Sequence, residues 1–162
     1  MVGTIFIEVV KTQTSVGVVC LRYVNNHLEV LLINNSDVFG FPYGGQQIGE
    51  TLEQTALRQV NEKVGVQPIA ISIHPVKTNS YNIRQGFKRT LQTDHYYACI
   101  ISQDNDIQLF EGAEKFIWSH PIGGLKYIKF NNIRLVLLSS LKWVEENEPY
   151  LKLLVSNLLK LR

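Results

Sequence analysis

Residues 44–66, GGQQIGETLEQTALRQVNEKVGV, constrain the fold of this chain more than any other stretch. The glycines at the start predict a tight turn and a short loop. From Thr51 to Val64, apolar residues recur every three to four positions, which predicts an amphipathic helix with one buried face. Thr51 and Gln54 have the spacing of a capping box, and Gly65 stands where helices commonly end in a left-handed residue. The segment therefore predicts a turn, a loop and a helix.

The exposed face of this helix is the candidate chemical surface. Side chains at positions i, i+3 and i+4 share one face, and three carboxylates there would hold Mg²⁺ or Mn²⁺ through their oxygens. After Arg58 the trio is Gln59, Glu62 and Lys63, so Glu62 is its only acid and Lys63 cancels that charge. Glu50, just before the helix, can add one carboxylate. We expect this face to have lost tight binding of a divalent metal.

Composition narrows the class of protein. The 162 residues are 45% hydrophobic and 19% charged, which is typical of one globular domain, residues 1–162. The net charge of +2 argues neither for nor against nucleic acid. Cys20 and Cys99 lie in separate apolar runs and predict buried, reduced thiols. The apolar start carries Glu8 and is unlike a signal peptide, and no apolar run reaches the ~20 residues of a membrane helix. We therefore expect a cytoplasmic protein without a membrane partner.

Strand-like segments surround the helix. They are expected at residues 2–10, 14–24, 28–33, 69–78, 92–102 and 115–119. Asn25 and Asn26 are a turn signal, so the second and third segments predict a hairpin. Residues 34–41 are expected to form a loop, and a further loop is expected to join the fourth and fifth segments. Strands on both sides of one helix predict a mixed sheet with helices on its faces.

The end of the chain, from about residue 132 to residue 162, predicts helical structure. One helix is expected from Leu135 to Asn147 and a second from Tyr150 to Leu161, with a break at Pro149 between them. The second segment carries an apolar stripe, which predicts core packing or the contact of a homodimer. The stripe consists of Leu151, Leu154, Leu158 and Leu161.

Residues 44–66 resemble the signature box of the Nudix hydrolase (MutT-like) family. In that box a glycine is followed six positions later by Glu, and eight further on by Arg-Glu. An apolar residue, any residue, Glu-Glu, any residue, Gly and an apolar residue complete it. Seven positions of this chain fall on the pattern: Gly44, Glu50, Arg58, Val60, Glu62, Gly65 and Val66. The resemblance implies a Nudix-type α/β/α sandwich with a mixed sheet.

Neighbouring segments extend the resemblance over about residues 12–140. Residues 39–42, FGFP, look like the family's aromatic-x-Phe-Pro entry to the box. The preceding hairpin, SVGVVCLRYVNNHLEVLLI, is also similar to Nudix sequences. Glu114, before Phe116-Ile117-Trp118, resembles the family's late acidic-aromatic strand.

The box is degenerate at specific positions. Gln59 stands where the family has the Glu that follows the Arg, and Lys63 replaces the second member of the Glu-Glu pair. Gln47 and Tyr43 replace an acid and a lysine that are frequent nearby. A neutral amide is a much weaker ligand for a hard cation than a carboxylate, and an ammonium group repels it. These departures predict weakened or altered activity.

The resemblance implies metal-dependent cleavage of a pyrophosphate bond in a nucleoside diphosphate derivative. It implies Glu62, Glu50 and Arg58 as the catalytic residues, with Arg58 orienting the loop and the acids. The implied cofactor is Mg²⁺ or Mn²⁺ if the protein is active, and none otherwise. Its implied ligands are Glu62, Glu50, the carbonyl oxygen of Tyr43 or Gly44, and Glu111 or Glu114.

Each of these residues has an alternative role. Glu62 can form an ion pair with Arg58 at i, i+4, and Glu50 can act as a favourable charge near a helix N-terminus. Lys63 can bind phosphate in the metal's place or be a solvated helix lysine. Glu111 and Glu114 can be surface charges.

A basic group in the loop expected between the fourth and fifth strand-like segments is a candidate substrate site. Arg84, Lys88 and Arg89, interleaved with Tyr81 and Phe87, can grip phosphates and stack a base. They can equally be the solvated tip of a hairpin.

Two function hypotheses follow. The first is a weak or altered pyrophosphohydrolase that acts on a nucleotide-type small molecule. The second is a non-catalytic Nudix domain that binds a nucleotide or RNA, or docks a protein partner.

Overall fold

A computed structural model describes residues 3, 9–35, 37–110 and 112–160. Most of the expected first strand, residues 2–10, lies outside these ranges. The described elements are, in order, β1 (Val9–Val24), β2 (His27–Asn35), β3 (Val38–Gly40), β4 (Tyr43–Gly45), α1 (Leu52–Val64), β5 (Ala70–Ile71), β6 (Lys77–Gln85), β7 (Lys88–Ile100), β8 (Ala113–Ser119), α2 (Pro121–Gly124), a 3₁₀ turn (Leu125–Tyr127) and α3 (Asn131–Lys160).

The strands form one mixed sheet, as the sequence predicts. β1 and β7 run parallel, from the pair Val9–Lys88 to the pair Leu21–Ile100, and the other pairings are antiparallel. β2 pairs with β1, β3 and β8, while β6 lines the outer side of β7. The β1–β2 hairpin turns through Asn25 and Asn26, whose φ angles of 51° and 65° suit a two-residue hairpin turn.

Helices cover both faces of this sheet, which confirms the α/β/α sandwich. Alternate residues of β1 point to opposite faces because the side-chain period of a strand is two. Val16, Val18 and Cys20 pack toward α1, while Val19 and Leu21 pack toward α3. Both cysteines are free and buried, as expected. They lie in register on β1 and β7, and the hydrogen bond with Cys20 and burial raise the pKa of the Cys99 thiol.

Helix α1 forms as the capping signals predict. The Thr51 hydroxyl accepts from the Gln54 backbone N–H at 3.1 Å, and the Gln54 side chain accepts from the Thr51 N–H at 2.9 Å. Gly65 ends the helix with φ of 73°. Ala56 and Val60 are fully buried against the sheet.

Two expected loops and one expected turn are wrong. Residues 34–41 include the end of β2 and all of β3, which is too short to show a strand period. Gly44 and Gly45 are extended and pair with β1, and the positive φ angle, 86°, falls at Gly49 instead. Arg84, Lys88 and Arg89 lie within β6 and β7, not in a loop. β6 shows no strand period in its sequence because it is largely polar and is exposed on both faces from Ser80 onward.

The expected helix break at Pro149 is also wrong, since α3 continues through it. A proline removes one backbone hydrogen bond and crowds the preceding turn. Val144 and Leu151 are buried on either side of Pro149 in the same hydrophobic cluster, so packing holds both halves in line. The Asn147 amide also donates to the Trp143 carbonyl at 2.8 Å in the turn before the proline.

None of the described helices is long and apolar enough to cross a membrane. The cytoplasmic location and the single domain over residues 1–162 stay predictions. Of the expected apolar stripe, Leu151 is buried and Leu158 is exposed, and residue 161 lies outside the described ranges.

We predict that Pro149→Ala stabilises the protein by about 1–3 kcal/mol, because it restores a helix hydrogen bond and removes the steric conflict. Urea denaturation would measure the change. Glu145→Ala, on an exposed position of the same helix, is the control and should change stability by less than about 0.5 kcal/mol. A loss of stability in Pro149→Ala would show that the packing of α3 requires the proline.

Candidate functional site

Arg58 ties the loop before α1 to the helix. Its Nε donates to Glu50 Oε2 at 2.7 Å, and its Nη2 donates to Glu50 Oε1 at 2.9 Å. Nη2 also donates to the Gly45 carbonyl at 2.8 Å, and Nη1 donates to Glu62 Oε2 at 3.1 Å. One guanidinium group thus joins strand β4, the loop and the exposed face of α1.

The side-chain oxygen of Gln59 accepts from the one Arg58 N–H that the other groups leave without a partner. Its neighbours fix the orientation of its amide: the nitrogen donates to the Tyr43 carbonyl at 3.2 Å, and the oxygen accepts from Arg58 Nη1 at 3.2 Å. An arginine has five N–H donors, and all five of Arg58 now have partners. Arg58 therefore has no donor left for a substrate phosphate in this arrangement.

Glu50 is equally engaged. Besides Arg58, its Oε1 accepts from the Gln47 backbone N–H at 2.8 Å and from the Thr55 hydroxyl at 3.2 Å. The hydrogen bond from Arg58, followed by that from Gln47, lowers the pKa of Glu50 from 4.5 to about 2. The carboxylate is thus held as a structural anion beneath the loop.

Gln59 is built into the strand–helix junction. Only 2% of its surface is exposed, and a Cβ on Gly44 would overlap its amide. Gly44 therefore lets β4 approach α1 closely. The amide covers the Tyr43 carbonyl, one of the two oxygens that the resemblance offers to a metal.

The donors on this face do not fit a divalent cation. The Gln59 amide presents an N–H to the Tyr43 carbonyl, and a positive guanidinium lies between the two carboxylates. Lys63 directs its ammonium group over the Phe110 ring, 5.1 Å from the centroid. The described residues contain no group of three His, Cys, Asp or Glu side chains that could hold a metal.

The other expected metal ligands do not join this cluster. Glu114 is exposed on β8, a strand that pairs with β2 rather than with β4. Glu111 lies outside the described residues. The structure therefore brings together Glu50, Arg58 and Glu62, and the catalytic and metal-binding roles of these residues stay predictions.

A cavity of about 540 Å³ opens beside this network, on the α3 side of the sheet. Tyr43 belongs to both: its carbonyl accepts from Gln59, and its ring lines the cavity. Nearly half of the lining residues are aromatic, and Tyr43 stacks on Tyr96 with centroids 6.3 Å apart. The aromatic lining residues are Phe39, Phe41, Tyr43, Tyr81, Tyr96 and Phe130.

One carboxylate faces this aromatic cavity. Asp94 is 4% exposed and accepts from the Tyr43 hydroxyl at 2.7 Å, the Tyr81 hydroxyl at 3.0 Å and the Gln92 amide at 2.8 Å. Burial, together with Asp94, raises the pKa of Tyr43 and of Tyr81, which keeps both hydroxyls as donors. Gln92 also donates to the Ser15 hydroxyl at 3.0 Å.

The expected substrate residues lie further along the β6–β7 hairpin. Arg84 pairs directly with Arg89, and Lys88 is the first residue of β7. All three lie nearer the hairpin turn than Tyr81, the residue of β6 that lines the cavity. A second cavity, of about 560 Å³, lies between residues 70–76 and α3 and shares no residue with the Arg58 network.

Three residues of the cavity were not predicted from the sequence: Asp94, Tyr96 and Phe130. A signal was present for the first two, since Gln92, Asp94 and Tyr96 alternate and so share one face of a strand. Polar residues on the inward face of an otherwise apolar strand indicate a buried polar network. Phe130 gave no such signal, because it joins the cavity only through the tertiary fold.

Comparison with known proteins identifies the family. The family model of the NUDIX domain matches residues 11–136. The chain therefore belongs to the Nudix family. Comparison with curated protein sequences finds no match.

Solved Nudix structures share the fold. A C. elegans Ap4A hydrolase in a binary complex has a TM-score of 0.67 at 18% identity, covering 83% of this chain and 98% of that one. The NUDIX domain of Shewanella oneidensis NrtR, complexed with ADP ribose, has a TM-score of 0.64 at 24% identity, covering 81% and 87%. The E. coli dihydroneopterin triphosphate pyrophosphohydrolase has a TM-score of 0.60 at 19% identity, covering 75% and 91%.

We predict that Glu50→Gln lowers the thermal midpoint at neutral pH. The Glu50 pKa is depressed in the folded state, so its contribution is present above pH 4.5 and is lost as pH falls toward about 2. The gap between wild type and variant should therefore close over that interval. Glu145→Gln, an exposed acid of α3, is the control. A gap that is constant from pH 2 to pH 7 would contradict a charge-based role for Glu50.

We predict that Gln59→Glu destabilises the protein by about 1–3 kcal/mol in EDTA, because one carboxylate oxygen would face the Tyr43 carbonyl without a donor. The repulsion requires the ionised carboxylate, which forms above the ordinary Glu pKa of about 4. The loss should therefore be absent below about pH 4 and should grow as pH rises through the folded pKa. Urea denaturation across this range measures it.

Gln54→Glu is the matched control for that variant, because Glu serves equally well at this position of a capping box. It should change stability little over the same pH range. Equal stability of Gln59→Glu and wild type at pH 8 would show that the amide donor to Tyr43 contributes nothing.

Proposed function

We propose that this chain is a Nudix domain that binds a nucleotide-type ligand without a divalent metal and does not hydrolyse it efficiently. The observation that carries the proposal is the closed network around Arg58. Its five donors, both Glu50 oxygens and the Tyr43 carbonyl all have partners within the protein. Opening that network to admit a cation would cost several hydrogen bonds, some of them charged.

The aromatic cavity supports a ligand with a flat ring. Aromatic side chains stack on nucleobases, and each such contact contributes about 1–3 kcal/mol. Asp94 and the Tyr81 hydroxyl place polar groups at the same wall, where base edges need partners. The fold is shared with structures described as an Ap4A hydrolase and as a complex with ADP ribose, so a nucleotide derivative is the ligand class to test first.

The test is calorimetric titration with ADP-ribose, dinucleoside polyphosphates and nucleoside diphosphates, in EDTA and in Mg²⁺. We expect at least one ligand to bind with the same affinity in both buffers and to remain intact. Turnover in Mg²⁺ or Mn²⁺ that Glu62→Ala abolishes would overturn the proposal and favour a pyrophosphohydrolase. Absence of binding by every nucleotide in the panel would also overturn it.

Substitution of two phenylalanines tests whether the base stacks in the aromatic cavity or on the β6–β7 hairpin. Phe130 lines the cavity and is 51% exposed, while Phe87 is 70% exposed at the hairpin tip. We predict that Phe130→Ala weakens binding at least about fivefold, the loss of roughly one stacking contact. Phe87→Ala is the matched control and should leave affinity unchanged. The reverse result would move the base to the hairpin.

A further inference from the structure

Three lysines and three aromatic rings border the cavity at the end nearest α3. Lys115 Nζ lies 5.6 Å from the Phe39 ring centroid, Lys126 Nζ lies 5.1 Å from that of Tyr127, and Lys129 Nζ lies 5.7 Å from that of Phe130. The Phe39 and Tyr127 rings pack edge to face, with centroids 5.7 Å apart. We call these six residues the lysine rim. It is continuous with the cavity because Phe39 and Phe130 line both.

The positive charge of the lysine rim is available to a ligand. All three lysines are exposed, and within the described part of the chain none of them forms an ion pair. The nearest acids along the chain are Asp37 and Glu114. Glu114 precedes Lys115 at an irregularity in the pairing of β8 with β2, where it is exposed, and no ion pair joins these two described residues.

Helix α3 adds to this potential. It begins at Asn131, directly after Lys129 and Phe130, and its first turn contains no acidic residue. The first N–H groups of a helix have no partner within it, and the helix dipole places partial positive charge there. The helix start and the three lysines therefore act on the same anion.

Unlike the lysine rim, the described lining of the cavity interior carries no positive charge. Its described lining contains no lysine or arginine, and its one charged residue is Asp94. A carboxylate in a buried wall repels a phosphate, so the anionic part of a ligand cannot lie inside. The cavity accepts the flat, uncharged part of a ligand, and its mouth accepts the charged part.

The cations of the Nudix box do not compete for this role. Arg58 has all of its donors engaged, and Lys63 lies over Phe110. Lys63 is moreover on α1, which packs on the face of the sheet opposite the cavity. Among the described residues, the three lysines form ring contacts but no hydrogen bond or ion pair. When the base of a nucleotide lies in the cavity, its phosphate is therefore expected at the mouth, near the three lysines.

We propose that the lysine rim binds the phosphate of a nucleotide whose base occupies the aromatic cavity, so that the phosphate lies against Lys115, Lys129 and the start of α3 instead of against the box. This rests on the proposed function, since it assigns an orientation to the ligand of the same cavity. The phosphate comes from a free nucleotide or from the terminal nucleotide of a single-stranded RNA, and both have the same chemistry at this site.

The test compares the four common ribonucleosides with their 5′-diphosphates and with a short single-stranded RNA, by calorimetry in EDTA. For the best-bound base, the diphosphate should bind at least tenfold more tightly than the nucleoside. The double variant Lys115→Met/Lys129→Met should remove at least a tenfold factor, equivalent to about 1.4 kcal/mol, and leave nucleoside binding unchanged. Added salt should weaken binding by the wild type more than by the variant.

Lys142→Met is the matched control, since Lys142 is an exposed lysine on another part of α3 and lies at the second cavity. Tighter binding of the RNA than of the diphosphate, lost in the double variant, would support the proposal and identify a strand end as the phosphate source. Equal affinity of wild type and double variant for the diphosphate would overturn the lysine rim while leaving the proposed function intact. Failure of every nucleotide and nucleoside to bind would instead overturn the proposed function.

Discussion

The hydrogen bonds of Arg58 hold together strand β4, the loop that follows it and helix α1. The guanidinium group joins β4 through Gly45, the loop through Glu50, and α1 through Glu62 and Gln59. In a partly buried setting, removing one member of such a network leaves its partners unsatisfied, which costs more than the bond itself. The strand, the loop and the helix therefore keep a fixed geometry without an ion between them.

Under the proposed function, Gln59 is the residue that replaces a metal-binding carboxylate of the Nudix box with a hydrogen bond inside the protein. An ionised glutamate in its place would direct a carboxylate oxygen at the Tyr43 carbonyl, a repulsion that a bound cation or protonation would relieve. The amide supplies an N–H at the same point, so the junction is complete with protein atoms alone. Tyr43 transmits this arrangement to the cavity, because its ring and hydroxyl form the wall that meets Asp94.

Local signals predicted local structure well. The capping pair Thr51–Gln54 and the left-handed Gly65 define α1 because each acts within one turn of helix. Pro149 was misleading because burial of Val144 and Leu151 outweighs its local cost. The resemblance to the Nudix box grouped Glu50, Arg58 and Glu62, but it did not indicate that Gln59 completes their network. The cavity could not be predicted, since Tyr43, Asp94 and Phe130 meet only when β4, β7 and the start of α3 are assembled.

The central claim is that the box of this protein is complete without a divalent cation. Titration of the apo-protein with Mn²⁺, followed by electron paramagnetic resonance of the free ion, tests it most directly. We expect no stoichiometric site, so free Mn²⁺ should follow the protein-free control throughout the titration. One tightly bound Mn²⁺ per chain, lost in Glu62→Ala, would contradict it.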